Sequence, residues 1–294
     1  MAGFNMPGFD VDKQLGRGWG GELWAARGRA TGRPVVLRRL PIADDVASHD
    51  HVRRAAARLV DVQHPHLVRL RGVLSIEGAV VLVHDHVAGV CLESVLAQRP
   101  PLPDAEVVTL AVPLAQALAT IHARGLVHGR VTPASVLLDD DGRPMLADTG
   151  VSALLDGGDV LGGPSDDVRD LALTCRAALG PARQTGPLAT VLSAALVDDA
   201  ARRPSATQLA AAVLASGPAA PIRRGADPRT GRAVQPRVRR AGGAPSRPPS
   251  PQPSPDVPRA EQTCVSPRGG AAGRGRRRRG GRPVRARVGR CGPG

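Results

Sequence analysis

The chain changes character at about residue 217, and only the part before that point can build a core. Residues 217–294 hold 14 Pro, 14 Gly and 19 Arg against three acidic residues, Asp227, Asp256 and Glu261. A Pro and Gly share above roughly 25–30% marks low-complexity chain. The run APSRPPSPQPSPDVPR (244–259) carries too little apolar surface to offset the entropy of ordering it. GRGRRRRGGRPVRARVGR (273–290) is a block of like charge that repels itself and stays solvated. The expectation is a disordered Pro/Gly/Arg-rich basic tail over 217–294. Such an arm attracts RNA, DNA or an anionic surface through non-specific charge contacts. It has no interleaved aromatics, so stacking on bases is not available to it.

The formal net charge of +14 belongs to that tail, because residues 1–216 carry 21 basic and 23 acidic groups. Charge therefore gives no reason to expect nucleic acid on the first 216 residues. Their core must be aliphatic: the aromatics are Phe4, Phe9, Trp19 and Trp24, with no Tyr. Arg replaces Lys almost throughout, Lys13 being the single lysine. Cys91, Cys175, Cys264 and Cys291 lie far apart, without C-x-x-C spacing, which fits reduced thiols better than a zinc site or a disulfide framework. MAGFNMPGFD has no basic region followed by an apolar one, and no run of 18 apolar residues occurs. No transmembrane segment and a cytoplasmic location are expected.

The order of elements is legible over 1–216. Strand-like runs come first at 9–15, 21–28 and 33–40, then a helical stretch at about 43–61, then strand-like runs at 67–76 and 79–87. Beyond residue 88 the pattern turns helical. In AEVVTLAVPLAQALATIHARG (105–125), Val107, Leu110, Leu114, Leu118 and Ile121 recur at helical spacing and define one buried face. Pro113 falls inside that pattern and should kink the helix or mark a late start. A strand-rich lobe (about 9–87) followed by a helical lobe (about 88–216) is an α+β layout.

LGRGWGGEL (15–23) places Gly16, Gly18 and Gly21 in a G-x-G-x-x-G pattern, with Leu23 two residues on. The glycines let a backbone approach phosphates closely, though alone they fit any glycine-rich hairpin. Strand patterns on both sides argue against a Rossmann reading. HPHLVRLRGV (64–73), VVLVHDHVAGVCLESVL (80–96), GLVHGRVTPASVLLDDDGRPMLADTG (125–150) and DDARRPSATQL (198–208) follow in order. Together these segments make residues 1–216 resemble a bacterial eukaryotic-like (Hanks-type) Ser/Thr protein kinase domain. The resemblance implies a bilobal kinase-like fold, ATP and Mg²⁺ as ligands, and a set of site positions that can be tested one by one.

Several positions depart from the family. The phosphate-anchoring Lys of the third strand falls on Arg38, which keeps the charge in a longer, planar group. The Glu that should pair with it from the following helix falls near Ala55, and no Glu occurs between residues 43 and 63. In the catalytic loop, HGRVTPAS (128–135), His128 and Pro133 remain. Arg130 stands where the family has its proton-accepting Asp, and Arg accepts no proton. Thr132 replaces the Lys of the loop, and Ser135 replaces the metal-holding Asn. Asp148-Thr149-Gly150 keeps the metal-binding Asp, leaving Asp148 either a Mg²⁺ ligand or a structural residue at a turn.

The adenine pocket would be lined by Leu15, Leu23, Val36 and Leu137, with the hinge at Asp85–Val87 and His84 at the gatekeeper position. His64-x-His66 and His84-x-His86 read as hydrogen-bonded histidines, since a metal site lacks a third ligand. Asp167 fits the helix aspartate that braces the catalytic loop. Arg203 fits the late Arg whose A-P-E glutamate partner has no match. Fewer than 20 residues separate Asp148 from SDDVRDLAL (165–173), so a substrate-docking loop has no counterpart.

Three functions follow. The leading one is a pseudokinase, a regulatory or scaffold module with weak or absent ATP and Mg²⁺ binding, partnered by a protein such as an active kinase. The second is an atypical active Ser/Thr kinase with relocated residues, for which Asp139, Asp140 and Asp141 are the spare carboxylates, although they read more simply as a β-turn. The third is anion binding through the tail.

Overall fold

Successive side chains of PVVLRRLP point to opposite faces and both faces carry buried residues, so the third strand serves two separate clusters. The computed structural model describes residues 4–18, 20–42, 46–151, 154 and 162–223, apart from the side chains of 18 and 46–48. β1 (Phe9–Gly18), β2 (Gly21–Gly28), β3 (Pro34–Pro41), β4 (Leu70–Ile76) and β5 (Ala79–Asp85) form an antiparallel sheet in the order β1-β2-β3-β5-β4. α1 (Val46–Val60) is inserted between β3 and β4.

Cross-strand register places Val36 opposite His84, Arg38 opposite Leu82 and Leu40 opposite Val80. Leu40, Val80 and Leu82 pack with Leu70 against Val52, Ala56 and Leu59 of α1. The alternate residues Val35, Leu37, Val81 and Val83 pack on the other face with Ala26 and Met6. Phe4, Phe9 and Trp24 close that second face, with the Phe4 and Trp24 rings 5.5 Å apart. Three of the chain's four aromatics thus serve one side of one sheet.

The helical lobe is built around α3 (Asp104–His122). Val107, Leu110, Leu114, Leu118 and Ile121 are all fully buried, as their spacing predicts. The helix starts well before Pro113 and runs through it, so the proline marks no late start. α3 is long and apolar enough to cross a membrane by length and composition, but its apolar residues belong to the core of this lobe. α2 (Leu92–Gln98), α4 (Pro164–Leu179), α5 (Pro187–Ala194) and α6 (Ala206–Ser216) pack around it. Ser205 caps α6: its hydroxyl accepts from Gln208 N–H at 3.2 Å while Gln208 accepts from Ser205 N–H at 2.8 Å. A small sheet of β6 (Gly89–Cys91), β7 (Val136–Asp139) and β8 (Pro144–Leu146) sits at the lobe's cleft side and carries Leu137. This is the two-lobed α+β architecture the sequence implied. Cys91 and Cys175 are free thiols, and burial pushes Cys175 up to about 12. Cys264, Cys291 and the tail from residue 224 lie outside the described residues.

Packing continues past residue 216 into the stretch that composition assigns to the tail. Ala220 N–H donates to Ala105 O at 2.9 Å, and Ala220 O accepts from the Thr109 hydroxyl at 2.7 Å. Ile222 is buried and joins the core cluster of the helical lobe. Arg223 O accepts from Arg99, which also pairs with the buried Glu106 at 2.8 Å. Residues 220–223 therefore form a strap across the start of α3. Ile222→Ala in the full chain should lower the unfolding free energy by about 2–4 kcal/mol in chemical denaturation, the usual result of emptying a buried aliphatic site. A change under about 0.5 kcal/mol, typical of surface positions, would remove Ile222 from the core.

Candidate functional site

β1 and β2 pair as far as Gly18 and Gly21, which puts Gly20 at the tip of the glycine hairpin. Arg38 reaches that tip from β3. Its guanidinium donates through Nη1 to Gly20 O at 2.9 Å and through Nη2 to Asp148 Oδ1. Arg38 is buried, and its Nε has no partner. A Cβ on Gly20 would meet Arg38 Nη1 and press on Val151, so a side chain there would displace the guanidinium from its present place. One side chain thus ties the hairpin to the Asp148 turn, across 110 residues of sequence.

Leu23 and Val36 lie on the same sheet face as Arg38 by register, and both are half-buried. Leu137 on β7 is also half-buried, whereas Leu15 is 48% exposed. Gly16 lies on β1 opposite Leu23. At the hinge, Asp85 is held by a bidentate pair with Arg71, at 2.6 and 3.0 Å, and its N–H donates to Arg69 O. Val87 follows β5, half-buried. His84 lines a small cavity of about 20 Å³ with Leu59, Val62, Leu67, Leu70 and Thr149. His84 Nε2 and Thr149 Oγ1 are both buried without a partner. Such a space suffices for about one water molecule.

The catalytic loop is shaped by one buried carboxylate. Asp167 accepts from His128 N–H and Gly129 N–H, each at 2.7 Å, and bonds His122 Nε2 at 2.8 Å. His128 is fully buried, with Nε2 2.8 Å from Ala147 O, which ties the loop to the residue before Asp148. Arg130 is exposed on this loop. Ser135 is buried: its hydroxyl bonds Thr132 O at 3.0 Å and Arg130 O at 3.2 Å, and accepts from Thr132 N–H at 2.9 Å.

Asp148 is the only non-glycine residue with positive φ, at 65°, among the described residues. Gly150 follows at φ 72°, where a Cβ would strike Leu59 of α1. Val151 and Leu154 then bury themselves in the α1 cluster. The Mg²⁺ implied by the family resemblance would need oxygens free to bind it. Asp148 is paired with Arg38, the Ser135 hydroxyl is engaged within its own loop, and no group of three His, Cys, Asp or Glu among the described residues could hold a metal ion. The residues present do not fit a magnesium site. The spare carboxylates do not supply one either. Asp139 Oδ1 accepts from Asp141 N–H at 3.0 Å and Arg143 N–H at 2.8 Å, which builds the β7–β8 turn.

Arg203 corrects one sequence expectation. It has a carboxylate partner, Asp166, at 2.8 Å, and it also donates to the carbonyls of Val197 and Asp198. The Gly163 N–H and the Arg203 guanidinium hold the Asp166 carboxyl below its ordinary range. The missing A-P-E glutamate is thus replaced from the first turn of α4. The nearness of residues 166 and 203 left no signal in sequence spacing, although an unmatched buried arginine was itself a reason to search for a local acid.

The family model described as "Protein kinase domain" matches residues 9–164. Serine/threonine-protein kinase PkaA of Streptomyces coelicolor is 34% identical over 163 residues, covering 50% of this chain and 30% of that protein. Serine/threonine-protein kinase PknF of Mycobacterium tuberculosis is 32% identical over 162 residues, covering 52% of this chain and 34% of that protein. CBL-interacting protein kinase 4 of Oryza sativa subsp. japonica is 34% identical over 153 residues, covering 50% of this chain and 34% of that protein. The chain spans about a third of the length of the curated relatives it matches.

Burial holds the His84 imidazole down at about 4 from its ordinary 6.5; nearby Asp148 and Asp85 act against this and Arg38 with it. The unfolded chain takes up a proton near pH 6.5 that the folded chain refuses until about pH 4. Stability from this group is complete above the higher value and falls as pH drops toward the lower one, by at most about 3 kcal/mol. Thermal melts of His84→Leu should lose less Tm between pH 7 and pH 4 than the parent, by several degrees. Parallel curves would mean that His84 is not the group responsible.

Proposed function

The chain belongs to the protein kinase domain family, and from that premise we propose that it is a regulatory or scaffold module without phosphotransfer of its own. The observation that carries this reading is the Arg38–Asp148 ion pair, formed where a kinase needs a phosphate anchor and a metal ligand free for substrate. Arg130 supports it from the catalytic loop, because guanidinium cannot accept a hydroxyl proton. A positioned general base contributes about 10²–10⁴ in rate, and electrostatic clamping of the phosphates commonly contributes more. These terms act as a unit, so losing several removes the reaction rather than slowing it by a simple product.

A module of this kind works through contacts with another protein, and an active kinase is the partner class that the fold suggests. What remains intact supports that role: the Asp167 brace, the α3 core and the Arg203–Asp166 pair keep the helical lobe in shape. The arginine-rich tail adds a charged arm whose contacts with nucleic acid or an anionic surface would weaken steeply with salt.

The full chain, incubated with labelled ATP, Mg²⁺ or Mn²⁺ and a basic protein substrate, should show no incorporation above that of Asp148→Ala. Asp148-dependent transfer into itself or the substrate would overturn the proposal. The single reversion Arg130→Asp should not restore activity, since Arg38 would still hold Asp148.

A further inference from the structure

The strap at 220–223 is an arm seated in a groove whose walls lie far back in the sequence. Ile222 is its anchor, 3% exposed in the core of the helical lobe. The backbone on either side of the anchor is held as well. Ala220 N–H donates to Ala105 O, and Ala220 O accepts from the Thr109 hydroxyl. Arg223 O accepts from Arg99, and Arg223 N–H donates to Glu106 Oε2 at 3.4 Å. Gly142 in the β7–β8 turn leaves the arm room, because a Cβ there would lie 2.7 Å from Ile222 O.

Only residues 217–219 join this arm to the end of α6. Gly217 is extended, and Pro218 and Ala219 are exposed. The same arm from a second copy of the chain would make the same contacts. A foreign segment would have to displace the arm and leave Ile222 in water, whereas a second copy returns what it takes. Exchange of an identical element is a low-cost route to a dimer.

The surface beside the hinge fits that partner. Residues 204–222 contain no charged side chain. On α6, Ala211, Leu214 and Ala215 share one exposed face, and Leu214 is the most exposed large hydrophobic residue among those described, at 60%. Two copies that trade arms bring their hinges together across a two-fold axis. The α6 ends next to those hinges then cover each other, which buries apolar surface that the single chain leaves in water.

From the arm and its hinge we propose that two copies of this chain form a dimer by exchanging residues 220–223, each arm seated on α3 of the other copy. The inference goes beyond the reading of the cleft and does not depend on it. The tails set its salt dependence. Both arms lead into arginine-rich tails of like charge, so salt that screens them favours the dimer. Association through nucleic acid held on the tails has the opposite sign, since salt weakens it.

The test is the mass of the nuclease-treated full chain in solution, by sedimentation or light scattering, over a concentration series at low and high salt. A species of twice the chain mass should grow with concentration and be more abundant at high salt. Deleting Pro218 and Ala219 shortens the arm's reach by about 7 Å. The arm then no longer reaches its own groove, and the dimer should predominate at concentrations where the parent is mixed. Ile222→Asp, which removes the anchor, should abolish the dimer. A parent that stays monomeric up to its solubility limit overturns the proposal. So does a dimer that survives Ile222→Asp, that the deletion leaves unchanged or reduces, or that high salt dissolves. If one variant does not fold, the parent and the other variant still decide. Phosphotransfer by the full chain would end the reading of the cleft and leave this inference standing, and a monomeric parent would do the reverse.

Discussion

The cleft is organised by a single guanidinium. Arg38 is buried in the sheet, reaches the glycine hairpin on one side and the Asp148 turn on the other, and so fixes the two walls relative to each other. A buried cation is tolerated only when paired, and removing one partner of such a pair typically costs about 3–5 kcal/mol. Asp148 is therefore bound to Arg38 for stability before any ligand arrives. Lysine at the same position would have been a flexible point charge, able to leave one acceptor for another. The planar fork holds both acceptors at once, and a side chain at position 20 would push it aside.

The parts of the helical lobe that need no substrate follow the family layout closely. Asp167 organises the backbone of His128 and Gly129, and α3 fills the core with the aliphatic face its spacing defines. Even the Arg203 requirement is met, with Asp166 supplying the carboxylate from a new place. Residues that hold the shape and residues at the reaction positions are different sets in this fold. Ser135 illustrates the separation: its hydroxyl closes the loop on Thr132 and Arg130, a structural task, at a position where the family holds metal.

Most of the fold was legible because it is written in local periodicity. The short apolar runs of β3 and β5 and the three-or-four spacing in α3 each act within a short stretch of chain. The site positions were legible through motif order, which located Arg38, Arg130, Ser135 and Asp148 without any knowledge of their contacts. What could not be read were pairings between distant positions. The Arg38–Asp148 contact depends on a long side chain choosing a carboxylate across the cleft once the helix Glu is gone. The Arg203–Asp166 contact depends on where α4 begins. The strap at 220–223 was hidden for another reason: its Pro and Ala content matches the tail that follows, and composition does not register that Ile222 meets a vacant slot in the core. The burial of His84 likewise came from α1 and Thr149 closing over β5, which its polar identity argued against.

The departures at the site are best understood as one change rather than several. Once Arg occupies the anchor and no helix Glu exists, Asp148 is the acid within reach, and pairing with it removes the metal ligand. At position 135 Ser takes a structural bond within its own loop. At position 130 an exposed Arg stands where the family has an acid, and it adds no negative charge beside the cleft. Each substitution makes the next less costly. The cleft that results holds its one basic and its one acidic side chain on each other, and a fold that keeps its scaffold does not by itself fix what such a site does.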